Sequence, residues 1–201
     1  MKPFNNYNET QALSETRKLP KGGYVCKILD AEVKDYSWGQ SLHISIDIIE
    51  GEYKDFYAAD YRAQRAEDKK WKGVLRLSVP TDDGTEKDDL TKRIFKGNIE
   101  AVEDSNSGYH WDWDEKKLKG KTVGCIFRNE EWQMDGRSGW KAQPFKFIDA
   151  AKIRSGDFKI PDDKPKNGGS TAAPAVSSDM SYFEEVPSNS DLPFDICPLL
   201  K

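Results

Sequence analysis

One strictly alternating segment constrains this chain more than any other part of its sequence. From residue 42 to residue 48, every second side chain is a leucine or isoleucine, and the positions between them hold His43, Ser45 and Asp47. Successive side chains of a β-strand point to opposite faces, so this pattern predicts a strand with one buried face and one solvated face. Any fold for this chain must therefore place an amphipathic strand here.

The residues that follow predict a hairpin. Glu50-Gly51-Glu52 interrupts the apolar run, and glycine accepts the backbone angles of a tight turn. The expected second strand carries tyrosines at even spacing and then two arginines: Tyr53, Tyr57, Tyr61, Arg62 and Arg65. Aromatic rings beside cations form surfaces that stack nucleic-acid bases, so the hairpin predicts such a surface if the tyrosines face solvent.

Charge restricts how such a surface can work. The chain has 201 residues, enough for one domain with extensions. The chain has 35 acidic and 31 basic residues, and five of the acidic residues but only one of the basic residues follow residue 175. Residues 1–175 therefore hold 30 of each kind and have no net charge. A neutral body binds a polyanion through a local patch only, and no polybasic arm is present.

Cysteine usage and hydropathy bear on the compartment. Cys26 and Cys125 stand in apolar, strand-like contexts, and Cys197 is far from both, which predicts reduced thiols and no disulfide framework. No apolar stretch approaches the length of a membrane span, and the first residues have no signal-peptide pattern. We expect a soluble protein of the cytoplasm (the host's, if a phage encodes it) that does not use a membrane.

The remaining pattern predicts a mainly β domain over residues 20–160, after a lead-in over residues 1–19. Further strands are expected over residues 24–36, 71–79 and 121–128, and around an Asp135-Gly136 hairpin turn. A helix over residues 88–104 is expected to begin with a Thr85 cap. The first strand changes its apolar phase after Ile28, which predicts a β-bulge, and Gly97 inside the helix predicts a close backbone contact.

The order of these elements predicts a fold class. Five strands in a small barrel, with one helix between the third and the fourth strand, is the layout of an OB-fold. From Pro161 the composition becomes rich in Pro, Gly, Ser and Ala, so residues 161–201 are expected to be a disordered linker that ends in an acidic segment.

These residues carry a resemblance to a protein family. The order of elements, the SLHISIDIIEGEYKDF segment and the tail SDLPF resemble those of phage and plasmid OB-fold single-stranded-DNA-binding proteins. The resemblance covers residues 20–155 by element order and residues 190–194 by motif. It implies DNA coating during replication or recombination, and docking of replication or repair proteins by Asp191, Leu192, Pro193 and Phe194. Seven residues follow Phe194, whereas the family's tip ends at that phenylalanine.

The candidate DNA-binding residues combine loop aromatics with the densest cluster of basic side chains. Each has an ordinary alternative, because tryptophan commonly seals the end of a barrel and a basic stretch is commonly a solvated face. For the tyrosines, the sequence does not show which strand face is buried. The predicted set is Trp38, His43, Tyr57, Tyr61, Arg62, Arg65, Lys70, Lys72, Arg76, Trp132 and Arg137.

The sequence offers little for catalysis. His110, Asp112 and Asp114 have ligand chemistry that divalent cations accept, but a second ligand set is missing and the interleaved tryptophans favour a packed loop. No cysteine pair has zinc-site spacing, and no glycine-rich phosphate loop is present. We therefore predict no enzymatic activity, no metal and no cofactor.

Two functions remain open at this stage. The first is binding of single-stranded DNA without sequence preference, during phage or plasmid replication and recombination. The second is an OB-fold adaptor that recruits replication proteins through its tail, since a neutral body with an acidic tail is equally typical of recruitment.

Overall fold

The computed structural model describes residues 17–166. The predictions for most of the lead-in, for the linker beyond residue 166 and for the tail residues Asp191, Leu192, Pro193 and Phe194 lie outside the described residues. The same holds for Cys197.

The described part is mainly β, with five strands and three α-helices. The strands are β1 (Gly22–Tyr36), β2 (Gly39–Ile48), β3 (Val74–Ser78), β4 (Thr122–Met134) and β5 (Arg137–Ile148). The helices are α1 (Phe56–Ala63), α2 (Glu86–Ser105) and α3 (Ala150–Ser155), and a short 3-10 helix spans Glu115–Leu118. None of the helices within residues 17–166 is long and apolar enough to cross a bilayer.

The strands form one antiparallel sheet in the order β3-β2-β1-β4-β5. The strands predicted over residues 24–36, 42–48, 71–79 and 121–128, the Asp135-Gly136 hairpin and the helix between the third and fourth strands of the sheet are confirmed. The sheet is open, because no ladder joins its edge strands β3 and β5 in the described part of the chain. Since α2 connects β3 to β4, the chain crosses from one edge region of the sheet to the other between these strands.

The predicted bulge lies where the apolar phase changes. The pairing of β1 with β2 shifts register between Ile28 and Asp30. Ile28 and Ala31 are both buried, so the extra residue returns the apolar side chains of β1 to a single core face. This prediction from the sequence is confirmed.

The core lies on the apolar face of β2. Ile44, Ile46 and Ile48 are fully buried, and they belong to the same apolar cluster as Val102 of α2 and Phe127 of β4. Burial of an isoleucine side chain contributes roughly 1.5–3 kcal/mol, so this strand anchors the domain. Cys26 and Cys125 belong to this core as buried free thiols, as predicted.

Helix α2 begins where the sequence indicates and is held by a buried amide. The Thr85 hydroxyl accepts a hydrogen bond from the Asp88 backbone N–H at 3.1 Å, which confirms the predicted cap. Asn98 accepts from the Phe147 N–H at 2.7 Å and so fixes α2 against β5. The close contact predicted at Gly97 is wrong, because an added Cβ there meets no atom within 4 Å and the residue lies on the exposed side of the helix.

The predicted second strand of the opening hairpin is wrong, because α1 occupies this position. A spacing of four residues suits one face of a strand and one face of a helix equally, so the tyrosine pattern did not distinguish them. The helix is selected by a tertiary contact: the buried Asp47 carboxylate accepts from the N–H groups of Tyr57 and Ala58, both at 3.0 Å. These are N–H groups that the first turn of a helix leaves without internal partners.

Tyr57 is consequently a core residue, with 3% of its surface exposed. Its ring packs where Gly73 has no side chain, since a Cβ at Gly73 would lie 2.5 Å from the Tyr57 ring and 2.6 Å from the Ile46 carbonyl oxygen. The predicted role of Tyr57 in base stacking is therefore wrong for this fold, because the ring is not accessible.

Candidate nucleic-acid interface

The polar face of β2 continues across its two neighbouring strands. His43 lies opposite Glu32 of β1 and opposite Arg76 of β3. Because these positions alternate with the buried Leu42 and Ile44, their side chains share the outer face of the sheet. We call this surface the outer face, and we include in it the neighbouring side chains that the next paragraphs describe.

A column of three aromatic rings stands at one end of the outer face. Trp38, in the turn between β1 and β2, stacks on Tyr36 with ring centroids 5.2 Å apart and planes within 9°. Tyr36 in turn stacks on His43 at 6.0 Å and 26°, and its hydroxyl lies 3.2 Å from His43 Nε2. Trp38 is 42% exposed, so it is available to stack a further flat ring.

Sequence reasoning placed Trp38 and His43 among the candidates but missed Tyr36. Tyr36 lies at the end of β1, on the same face of the strand as Glu32 and Lys34, and it pairs with Gly39 of β2. The available signal was the pair of aromatic residues that flank Ser37 in a short connection, because two large rings beside a turn have little core to enter.

The cations Lys72, Arg76 and Lys141 lie close to one another where β5 approaches β3. Lys141 of β5 is exposed, yet its pKa is lowered, first by partial desolvation of its ammonium group and then by repulsion from Lys72 and Arg76, which Asp60 opposes. The strands β5 and β3 lie close to each other, which accounts for the interaction between these charges. Lys141 was not among the predicted residues, and nothing in its local sequence distinguishes it from other surface lysines.

The cations of this face differ in how far their charge is already used. Lys72 forms an ion pair with Asp60 at 3.0 Å, and Lys34 pairs with Glu32 at 3.3 Å. Arg76 and Lys141 have neither an ion pair nor a side-chain hydrogen bond within residues 17–166. Their charges are therefore the best placed to attract an external anion.

The surroundings of His43 disfavour its protonated form. Desolvation lowers the pKa of His43, and Arg76 and Lys34 lower it further, while Glu32 partly raises it. An imidazole with a lowered pKa holds its proton weakly, so His43 is mostly neutral near pH 7.

The β4–β5 hairpin, which carries Lys141, also carries an exposed aromatic side chain. Its Asp135-Gly136 turn has φ values of 50° and 73°, the left-handed pair of a tight hairpin turn, which confirms the prediction. Trp132 lies on the same face of β4 as Glu130, and Glu130 pairs with Lys141 of β5. It is 42% exposed and lies against Gly139, where a Cβ would be 3.0 Å from the indole.

Several predicted residues lie near the face without a contact to it. Tyr61 is 37% exposed and packs beside Trp71 at 5.8 Å. No contact among the described residues joins Arg62, Arg65 or Lys70 to the outer face. All three are exposed, Arg62 in the last turn of α1 and the other two on the segment that follows it. Arg137 is exposed at the tip of the β4–β5 hairpin.

The residues considered for a metal site have other partners. His110 Nδ1 lies 2.7 Å from a Glu103 carboxylate oxygen, and Asp112 pairs with Lys117. Within residues 17–166 no group of three or more His, Cys, Asp or Glu side chains is arranged to hold a metal ion.

Comparison with known proteins adds no assignment. No protein-family model matches the chain, and the search of curated proteins finds no match to it.

Proposed function

We propose that this protein binds single-stranded DNA without sequence preference, through the outer face, during replication or recombination of phage or plasmid DNA. One observation carries the proposal: the exposed Trp38 column stands on the polar face of β2 beside Arg76, which has no ion pair within residues 17–166 and whose charge lowers the pKa of Lys141. The exposed Trp132 lies on the same hairpin as Lys141. Stacked rings hold bases of any sequence, and cations between them attract the phosphates that connect those bases.

The strand order supports the proposal at the level of fold. The order β3-β2-β1-β4-β5, with a helix between β3 and β4, is that of an OB barrel before its edges meet. Direct contacts between β3 and β5 show that these edge strands approach each other, and the repulsion of Lys141 by Arg76 and Lys72 is consistent with this. We infer an OB-type barrel whose β2–β3 surface, together with the two flanking turns, forms the binding groove.

The nature of the contacts argues against reading of base sequence. Trp38 and Trp132 offer ring faces, and every base has a π-face of its own. Sequence-specific readout instead requires side chains that present fixed pairs of donors and acceptors to base edges. Single strands expose their base faces, whereas a duplex covers them, so we expect a strong preference for unpaired DNA.

An adaptor remains the second candidate because another aromatic patch is exposed elsewhere. Trp113 is 77% exposed and stacks on Phe95 of α2 with planes within 8°, at a left-handed φ of 68°. A large exposed ring in a costly backbone conformation is typical of an interaction surface. In this alternative Trp113 and the tail residues 191–194 dock replication proteins, and the outer face binds no DNA.

A titration with oligo-dT distinguishes the two candidates. The full chain is mixed with a dye-labelled oligo-dT at low and at moderate salt, and binding is followed by fluorescence anisotropy and by tryptophan quenching. We expect binding that weakens steeply with salt. The absence of binding by both measurements at low salt would rule out the DNA proposal.

Two tryptophan variants provide the matched comparison. Trp38→Ala removes a stacking ring worth about 1–3 kcal/mol, so it should weaken oligo-dT binding about 5-fold to 150-fold. Trp113→Ala removes an exposed ring of the same kind from the other patch and should leave the affinity unchanged. Equal effects of the two substitutions would contradict the assignment of the outer face, and duplex DNA as a competitor tests the preference for single strands.

A further inference from the structure

The outer face contains a titratable group at its centre. His43 lies between the Tyr36 ring on one side and Arg76 on the neighbouring strand, with its Nε2 atom 3.2 Å from the Tyr36 hydroxyl. We propose, on the basis of the proposed function, that His43 takes up a proton when a polyanion binds this face, so that DNA binding becomes tighter as the pH falls.

The groups that face His43 from both neighbouring strands determine the direction of the effect. Glu32, Lys34 and Tyr36 face it from β1, and Arg76 faces it from β3. The negative charge of Glu32 is shared with Lys34, to which it is paired at 3.3 Å. On β2 itself, the positions two residues away on the same face are Ser41 and Ser45, which carry no charge.

In the free protein these charges oppose protonation. The pKa of His43 is lowered by desolvation and then by Arg76 and Lys34, which means that a second positive charge is unfavourable at this position. A phosphate that binds Arg76 brings a negative charge to the same place and cancels that repulsion. Protonation of His43 then adds an attraction that the free protein cannot use, so binding of the anion and uptake of the proton favour each other.

The hydrogen bond to Tyr36 is compatible with both charge states. When the imidazole is neutral at Nε2, the Tyr36 hydroxyl donates to it, and when Nε2 is protonated, the hydroxyl oxygen accepts. The ring column can therefore keep its geometry while His43 changes charge. This property separates a change in affinity from a change in structure.

The chain allows an unusually clean test because it contains only two histidines, His43 and His110. The affinity of the full chain for oligo-dT is measured from about pH 5.5 to about pH 8 at constant ionic strength, across the range in which histidine titrates. The affinity should rise towards low pH by up to about tenfold for each unit by which binding raises the His43 pKa. His43→Gln should bind with an affinity that does not change over this range, and His110→Gln should retain the wild-type profile.

A second measurement uses the unaltered protein. The ring-proton shifts of His43, assigned by comparison with the His110→Gln spectrum, are followed by NMR against pH with and without oligo-dT. The midpoint should move to higher pH when the oligonucleotide is present. An unchanged or lowered midpoint would overturn the inference even if His43→Gln were poorly folded.

The outcomes separate the inference from the proposed function. A pH-independent affinity of the wild type, or a pH dependence that persists in His43→Gln, overturns the role of His43 and leaves DNA binding established. A lack of oligo-dT binding at every pH overturns both. The inference is supported when the pH dependence is present, depends on His43 and accompanies the shift of its midpoint.

Discussion

Arg76 and Lys141 offer the sharpest test of the outer face, because they are the cations of that face whose charge no neighbour within residues 17–166 has already paired. The double substitution R76Q/K141Q removes both positive charges and keeps polar side chains of similar length. Arg76 is flanked on β3 by the buried Leu75 and Leu77, and its own side chain is exposed, so the fold does not depend on it.

The expected magnitude follows from counterion release. Each phosphate contact on a single strand contributes about 0.7 to the slope of log affinity against log salt, so two contacts contribute about 1.4. Between about 50 mM and about 200 mM salt, the wild type should therefore lose roughly sevenfold more affinity than R76Q/K141Q. Lys72→Gln should change the slope less, because Asp60 at 3.0 Å already neutralises Lys72.

The assay measures the affinity for oligo-dT by fluorescence anisotropy at five or more salt concentrations, at a pH of about 7.5, where histidine is largely neutral. The control variant is R93Q/K96Q, which removes the same number of positive charges from exposed positions on α2. This control separates the loss of a local contact from the change in the net charge of the chain.

Two results would refute the reasoning. A slope that stays unchanged in R76Q/K141Q would show that phosphates do not contact these side chains. An equal loss of slope in R93Q/K96Q would show that binding responds to overall charge and not to the outer face.

Three further predictions concern the free protein. Asp47→Ala should lower the free energy of unfolding by about 2–4 kcal/mol in urea denaturation, because it leaves the N–H groups of Ile48, Tyr57 and Ala58 without their acceptor, and Asp47→Asn should cost less. Folding lowers the pKa of His43, so the unfolded chain binds the proton better than the folded one. Thermal stability should therefore fall as the pH drops through the ordinary histidine range, and His43→Gln should remove the contribution of His43 to this loss of stability. Gly97→Ala should stabilise the protein by about 0.5–1 kcal/mol, since the added methyl meets nothing within 4 Å. Gly73→Ala should destabilise it by about 1–3 kcal/mol by displacing the Tyr57 ring. A destabilising Gly97→Ala or a stabilising Gly73→Ala in thermal melts would contradict the packing described.

Much of the fold was predictable because its signals are local. The alternation of β2, the phase change after Ile28, the Thr85 cap and the Asp135-Gly136 turn each involve a few consecutive residues, and each appears in the structure. Their physical causes are side-chain alternation, the cost of an extra strand residue, an unpaired helical N–H and a left-handed backbone pair. No distant residue is required for any of them.

The errors occurred where a distant contact decided between two local solutions. Residues 53–61 fit a strand and a helix equally well by tyrosine spacing. Asp47 selects the helix by accepting its first N–H groups, and Gly73 provides the space for Tyr57. Neither role can be predicted from the sequence. An acid on the solvated face of a strand and a glycine after a loop are common in proteins and have many different structural roles.

The sequence by itself determined that an amphipathic strand with a polar face lies at residues 42–48, that aromatic side chains flank two of the turns, and that the body has no net charge. Only the tertiary structure decided which of these groups lie close together. Arg76 and Lys141 are 65 positions apart, and their charges interact because the edge strands β3 and β5 lie close to each other. The periodicity of a strand shows which side chains share its own face, but the neighbours on that face depend on strand order and curvature, which the packing of the whole core determines.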